Sequence, residues 1–226
     1  MAKQAYPVGM ALSRNITLIY AFLLSGNILI GMGPVGVYAG EKSIWSNKET
    51  WEKANEQIVR LSPSAFPELP KPMLKDLNQR GCSIPQPVIT GTTLPPDYET
   101  SNVISGEFQK PGQTDWAVLC SVEGRSTILV FWNGSVTNVE QLGGFSPDKR
   151  WLQGMGTDRK TLKPLVEYSR GISSVGESFI LDAFEGYGGP EPPPIDHEGI
   201  DDAFLGKASQ VRYWYKGEWL RLKGAD

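Results

Sequence analysis

One histidine in an acidic setting is the residue of this chain with the most evident chemical potential. His197 sits in D-H-E-G-I-D-D, with Asp196, Glu198, Asp201 and Asp202 around it. An imidazole oriented by a neighbouring carboxylate suits a general base, and the same side chains could ligate a metal. The stretch reads equally as a solvated acidic loop in which Asp201 caps a short helix. With a single histidine and two cysteines, zinc sites built from several His or Cys ligands are excluded. A Ser-His-Asp triad is allowed by composition, yet no G-x-S-x-G is present, and Gly171-Ile172-Ser173-Ser174 has only a superficial likeness to one. Carboxylate pairs for glycoside hydrolysis could be drawn from Glu107, Asp115, Glu123 and Asp182, as in any acidic protein. Neither a G-x-x-x-x-G-K-[ST] phosphate loop nor a G-x-G-x-x-G after a strand occurs, which disfavours nucleotide enzymes; no cofactor is expected.

The aromatic residues are the other chemical resource: 7 Trp, 8 Tyr and 8 Phe. Trp132, Trp151, Trp214 and Trp219 could build a stacking surface for glycan or peptide, or they could fill a core. Charge points away from polyanions. Removing Lys3 and Arg14 with the first 39 residues leaves 20 basic against 25 acidic residues, moving the formal charge from −3 to −5. Neither nucleic acid nor an anionic membrane is an expected partner.

Those residues must be positioned by a frame, and the stretch from Asn102 to Asn133 supplies its centre. In Asp115 to Val122, D-W-A-V-L-C-S-V, alternation puts Trp116, Val118, Cys120 and Val122 on one face and Ala117 and Leu119 on the other, so both faces are apolar. Ser126 to Trp132 behaves the same way, and Glu123-Gly124 stands between them at hairpin spacing. Asn102 to Phe108 supplies a strand before this hairpin and Ser135 to Leu142 one after it, giving a meander.

Upstream, Lys3 and Arg14 precede an apolar run that starts at Ile16 and ends in small residues, with Val37 and Ala39 at the minus-three and minus-one positions of a signal-peptidase site. Residues 1–39 therefore read as an export signal cut before Gly40; the alternative is a retained anchor. Ser46 and Glu49 form an S-x-x-E capping box with Trp45 as staple, and Trp51, Ala54, Ile58 and Leu61 recur at helical spacing up to Ser62-Pro63. Met73, Leu74 and Leu77 suggest a second helix closed by Gly81. Cys82 follows directly. A bridge from Cys82 to Cys120 fits an oxidising compartment and would stabilise the fold by about 4 kcal/mol through loop closure; two buried thiols are the alternative. Ser83 to Thr100, rich in Pro, Thr and Gly, reads as a crossing loop.

Downstream, Trp151 to Met155, Leu165 to Tyr168 and Phe179 to Phe184 are strand candidates. Gly186 to Pro194 is a loop, one helical turn is expected around Asp201 to Leu205, and the chain closes with a hairpin, Gln210 to Tyr215 and Glu218 to Leu222, around Lys216-Gly217. In that hairpin Val211, Tyr213 and Tyr215 face one way, Arg212 and Trp214 the other.

Two resemblances follow from these motifs. G-E-F-Q-K-P-G-Q-T-D-W-A-V, Gly106 to Val118, resembles one unit of the FG-GAP type of β-propeller and integrin-like repeat, with Gly106, Phe108, Gly112, Asp115, Ala117 and Val118 in place. At the positions of that family's calcium ligands the chain has Glu107, Gln109 and Pro111, with Asp115 retained, so the loop lacks the usual oxygen set and no metal is expected. More broadly, G-C-x-I-P-Q at Gly81 to Gln86, the D-W-A-V-L-C strand and the W-Y-x-G-x-W hairpin resemble a group of secreted bacterial proteins, a likeness that implies export and no particular activity.

The expected fold is α+β: an N-terminal helical arm packed on an antiparallel meander sheet, with a C-terminal β-hairpin, residues 40–226 forming one exported domain. The expected role is non-catalytic binding of a partner or ligand at the cell envelope, in a secreted or periplasmic setting, with no membrane contact once the signal is removed. The competing roles are an envelope hydrolase using His197 or a carboxylate pair, with Glu107 and Asp115 counted among the candidate site residues beside His197, and a calcium-stabilised adhesion-like module.

Overall fold

The computed structural model describes residue 45, residues 47–88 and residues 101–225. The expected export signal lies outside these, as do Ser46 and most of the expected crossing loop. Among the described residues the first half of the chain forms α1 (Lys48–Glu56), β1 (Arg60–Leu61), α2 (Lys71–Gln79), β2 (Ile84–Pro85), β3 (Val103–Gly106), β4 (Asp115–Val122), β5 (Arg125–Phe131) and β6 (Val139–Pro147). The second half forms β7 (Leu152–Thr157), β8 (Pro164–Tyr168), β9 (Arg170–Val175), α3 (Glu177–Tyr187), β10 (Gly199–Phe204), β11 (Ala208–Tyr215) and β12 (Glu218–Lys223). The class is thus mixed helix and antiparallel strand.

Strands β3 to β6 make the expected meander in the order β3-β4-β5-β6. Glu123 and Gly124 both take positive φ, 50° and 73°, giving a two-residue turn whose twist matches β4 and β5. Both faces of β4 and β5 are buried, as their composition requires. On one face Val118, Cys120, Leu129 and Phe131 pack with Phe66, Leu69, Met73 and Leu77. On the other, Ala117, Leu119, Ile128 and Val130 meet Ile172 and Ile200.

The N-terminal segment reaches the sheet through α2 and the bridge. Met73 and Leu77 are fully buried, and Gly81 closes the helix at φ 72°. The Cys82 N–H donates to the Leu77 carbonyl at 3.0 Å and the Gly81 N–H to that of Asn78 at 3.1 Å, the double bond pattern of a left-handed cap. Cys82 and Cys120 are joined in a disulfide. The cap of α1 is Asn47, whose side chain accepts from the Glu49 N–H at 3.0 Å, in place of the expected Ser46 box. The helix also ends sooner than its apolar spacing suggests, so Leu61 belongs to β1, which pairs with β2. Ala54 and Ile58 pack with Leu152 and Tyr168 of the β7-β8 hairpin.

A second sheet, ordered β12-β11-β10-β9, covers the meander's other face. Two expectations fail here. Phe179 to Phe184 lies within α3, where Ile180 and Ala183 are buried, Ile180 against Val211, Tyr213 and Leu222 of the sheet, while Leu181 is exposed, a helical pattern hidden in a run that also alternates. Asp201 to Phe204 belongs to β10 in the middle of the sheet, with Leu205 in the turn after it, and forms no helical turn; pairing on both sides with β9 and β11 overrides the weak local capping signal of Asp201. At one side the sheets are tied by Asn102, fully buried at φ 58°: its amide donates to the carbonyls of Pro85 and Arg170, and its oxygen accepts from the Ile172 N–H. At the other, the Trp219 indole donates to Glu140 at 2.8 Å.

Candidate functional site

The acidic histidine loop folds into a closed cluster. His197 Nε2 lies 2.9 Å from the Trp214 carbonyl oxygen, and Nδ1 lies 3.0 Å from that of Glu198. Its ring stacks on Tyr213 at 4.4 Å with an 8° tilt, and its side chain is 5 % exposed. Both nitrogens are therefore turned to the main chain, and the imidazole acts as a buried strut between the β10 entry and β11. Asp196 is exposed; its N–H donates to the Tyr213 hydroxyl, which in turn donates to its carboxylate at 3.3 Å.

Glu198 and Glu107 do come together, through reciprocal bonds. The Glu107 N–H donates to the Glu198 carboxylate at 2.8 Å, and the Glu198 N–H to the Glu107 carbonyl at 3.1 Å. The approach is close: a Cβ at Gly106 would lie 2.6 Å from the Phe108 ring and 2.7 Å from that carboxylate, space that only glycine leaves open. Asp115 is fully buried and accepts from the Gln109 and Asn133 N–H groups, each at 2.8 Å, and from the Gln113 amide at 2.7 Å. The FG-GAP-like loop is closed on its one retained acid by nitrogen donors. Asp201, also fully buried, lies within β10, on the face opposite to Asp202. Among the described residues no group of three or more His, Cys, Asp and Glu is placed to hold a metal ion.

The aromatic residues divide. Trp132, Trp214 and Trp219 form one cluster with ring centres 5.1 to 5.4 Å apart, Trp132 and Trp219 being stacked and Trp214 facing Trp219 across the hairpin. Trp151 stands apart from them. It tilts against Phe204 at 5.6 Å and lies under the Arg170 guanidinium at 4.4 Å.

That second group borders an open cleft of about 470 Å³ between the two sheets, lined among others by Gly143, Gly144, Trp151, Arg170, Asp202 and Arg212. It exists because β6 breaks register: Ser126 pairs with Ser146 and Ile128 with Leu142, so Gly143, Gly144 and Phe145 stand opposite Thr127 alone. Arg170 Nε and Nη2 donate to the two oxygens of Asp202 at 2.9 and 3.0 Å, and Nη1 donates to Ser126 at 3.0 Å. The pair is nearly buried, with side chains 5 % and 9 % exposed. Arg212, cross-strand from Arg221, is only partly buried, and its Nε is buried without a partner among the described residues.

Sequence reasoning missed this cleft. The available signal was Arg212, a charged residue on the same strand face as Trp214; a guanidinium on an inward face needs either a partner or a ligand. Arg170 and its pairing with Asp202 are 32 residues apart and carried no local signal.

No family model, no curated protein and no solved structure matches this chain.

Proposed function

We propose that this protein is an exported, non-catalytic domain that binds a ligand at the cell envelope, and that the cleft between Trp151 and Arg212 is where it does so. The observation that carries the reading is a cleft with an aromatic wall and a half-buried guanidinium that the protein leaves unpaired. A few convergent polar groups beside aromatic surface are what a small-ligand site requires. Export is supported by the sequence of residues 1–39, by the likeness to secreted bacterial proteins, and by the Cys82–Cys120 bridge, which persists in oxidising compartments. In this reading residues 40–226 form one exported domain, its helical arm held on the meander.

Two measurements test the two halves. Terminal sequencing of protein recovered outside the cytoplasm should begin at Gly40; a start at Met1 would overturn cleavage. Amide spectra recorded with small envelope fragments, both neutral sugars and charged peptides or phosphates, should move signals of Trp151, Phe204 and Gly144. Shifts confined to the Trp132-Trp214-Trp219 cluster would relocate the site.

A further inference from the structure

We propose that the cleft binds an oxyanion, a carboxylate or phosphate group, through the guanidinium of Arg212. This rests on the reading of the cleft as the ligand site and adds the chemistry it selects.

The charges that line the cleft do not balance. Arg170 and Arg212 face one lining carboxylate, Asp202, and both its oxygens are already taken by Arg170. The third donor direction of Arg170 is used by Ser126, and its plane covers Trp151. Arg212 makes no hydrogen bond or ion pair among the described residues, although its Nε is buried. Burial holds its guanidinium below the usual range; Asp202 opposes that, while Arg221 and Arg170 add to it by repulsion. Lys207, in the turn between β10 and β11, lies over the Phe204 ring at 4.2 Å and adds positive charge at the Phe204 rim of the cleft. A cationic ligand would meet this field unfavourably. A carboxylate or phosphate would give the forked N–H groups their two-oxygen partner and neutralise the surplus. Room for it exists on the β6 side, where a Cβ at Gly143 or Gly144 would meet nothing within 4 Å.

The test is a titration of the full exported chain, followed by amide and arginine Nε–H signals, with inorganic phosphate in one arm and succinate in the other, sodium chloride holding ionic strength constant. Saturable shifts at Arg212, Gly144 and the Trp151 indole are expected, with a dissociation constant of about 10 mM or tighter in at least one arm. The stronger arm tells phosphate from carboxylate. Arg212→Gln should weaken that binding by about tenfold or more, and Arg212→Lys should fall between, keeping the charge but losing the fork. Lys163→Gln, beside α1 and β8, should bind as wild type does. Loss of folding in Arg212→Gln would show in its own amide spectrum, and Arg212→Lys then decides. No saturable shift in either arm, or equal binding by the variants, overturns the proposal. If trehalose or an uncharged tripeptide amide moves the cleft signals where both anions fail, the ligand site stands and the oxyanion is wrong; if no probe moves them, both readings fall.

Discussion

His197, just ahead of β10, and Arg212, on β11, lie beside each other's strands and have opposite fates. His197, at the entry to β10, has a main-chain carbonyl within 3.0 Å of each ring nitrogen, so whichever nitrogen carries the N–H donates to one, and it has a tyrosine ring to lie on. Arg212, on β11, faces a carboxylate that a neighbouring arginine has already taken in a two-oxygen grip. The first cluster is closed and the second is open. Satisfaction of buried polar atoms, more than the identity of the residue, therefore separates a strut from a site: a satisfied group has little left to offer a ligand, while an unsatisfied one carries a free-energy penalty that a ligand can remove.

The sharpest way to break this contrast is at the pair that creates it. Asp202→Ala leaves the Arg170 guanidinium buried without its counter-charge and should destabilise by about 4 kcal/mol in urea unfolding. A cost under about 1 kcal/mol would mean that Arg170 simply turns to solvent and that the cleft is not preorganised. Next is Asp115→Ala, which removes the acceptor of three donors in the Phe108 to Asn133 region and should cost roughly 3 kcal/mol without altering anion titrations at the cleft.

Two buried tyrosines, one near each cluster, give a pH test. Burial is the main cause that raises both Tyr168 and Tyr213 above the ordinary phenol value. A raised folded value means the folded state holds the proton more tightly, so this stabilisation is complete below about pH 10 and is lost as pH rises through the folded values. Stability followed by circular dichroism should fall above about pH 10, and the fall should be delayed by Tyr168→Phe more than by Tyr213→Phe, since burial acts more strongly on Tyr168. An unchanged alkaline limb in both variants would count against these assignments.

The smallest stability effect is expected where the proposed binding effect is largest. Arg212→Met removes an unpaired cation and keeps most of its apolar stem, so the unfolding free energy from urea titration should stay within about 0.5 kcal/mol of wild type, or rise. A loss of 2 kcal/mol or more would show that Arg212 is a structural partner after all, and would turn the open cluster into a second closed one.

What the amino-acid order determines by itself is local and can be traced residue by residue. Glu123-Gly124 and Lys216-Gly217 set the registers of two hairpins because both residues of each pair accept positive φ. Gly81 ends α2, and D-W-A-V-L-C-S-V is apolar on both faces, so it had to lie in the interior. With two cysteines, a bridge within the chain could only join Cys82 to Cys120, and the alternative of two thiols was closed by the fold that brings them together. Tertiary structure decided the rest, because pairing across the chain outweighs local preference. Asp201 reads as a helix cap until β9 and β11 flank it; Phe179 to Phe184 reads as a strand until α3 turns Ile180 onto the second sheet. His197 reads as a base until the carbonyls of Glu198 and Trp214 enclose it. Arg212 shares a strand face with Trp214 in the sequence, but that it lacks a partner emerges only when Arg170, 42 positions earlier and two strands away, takes Asp202 from it, since a donor is known to be unsatisfied only once every acceptor within reach has been placed.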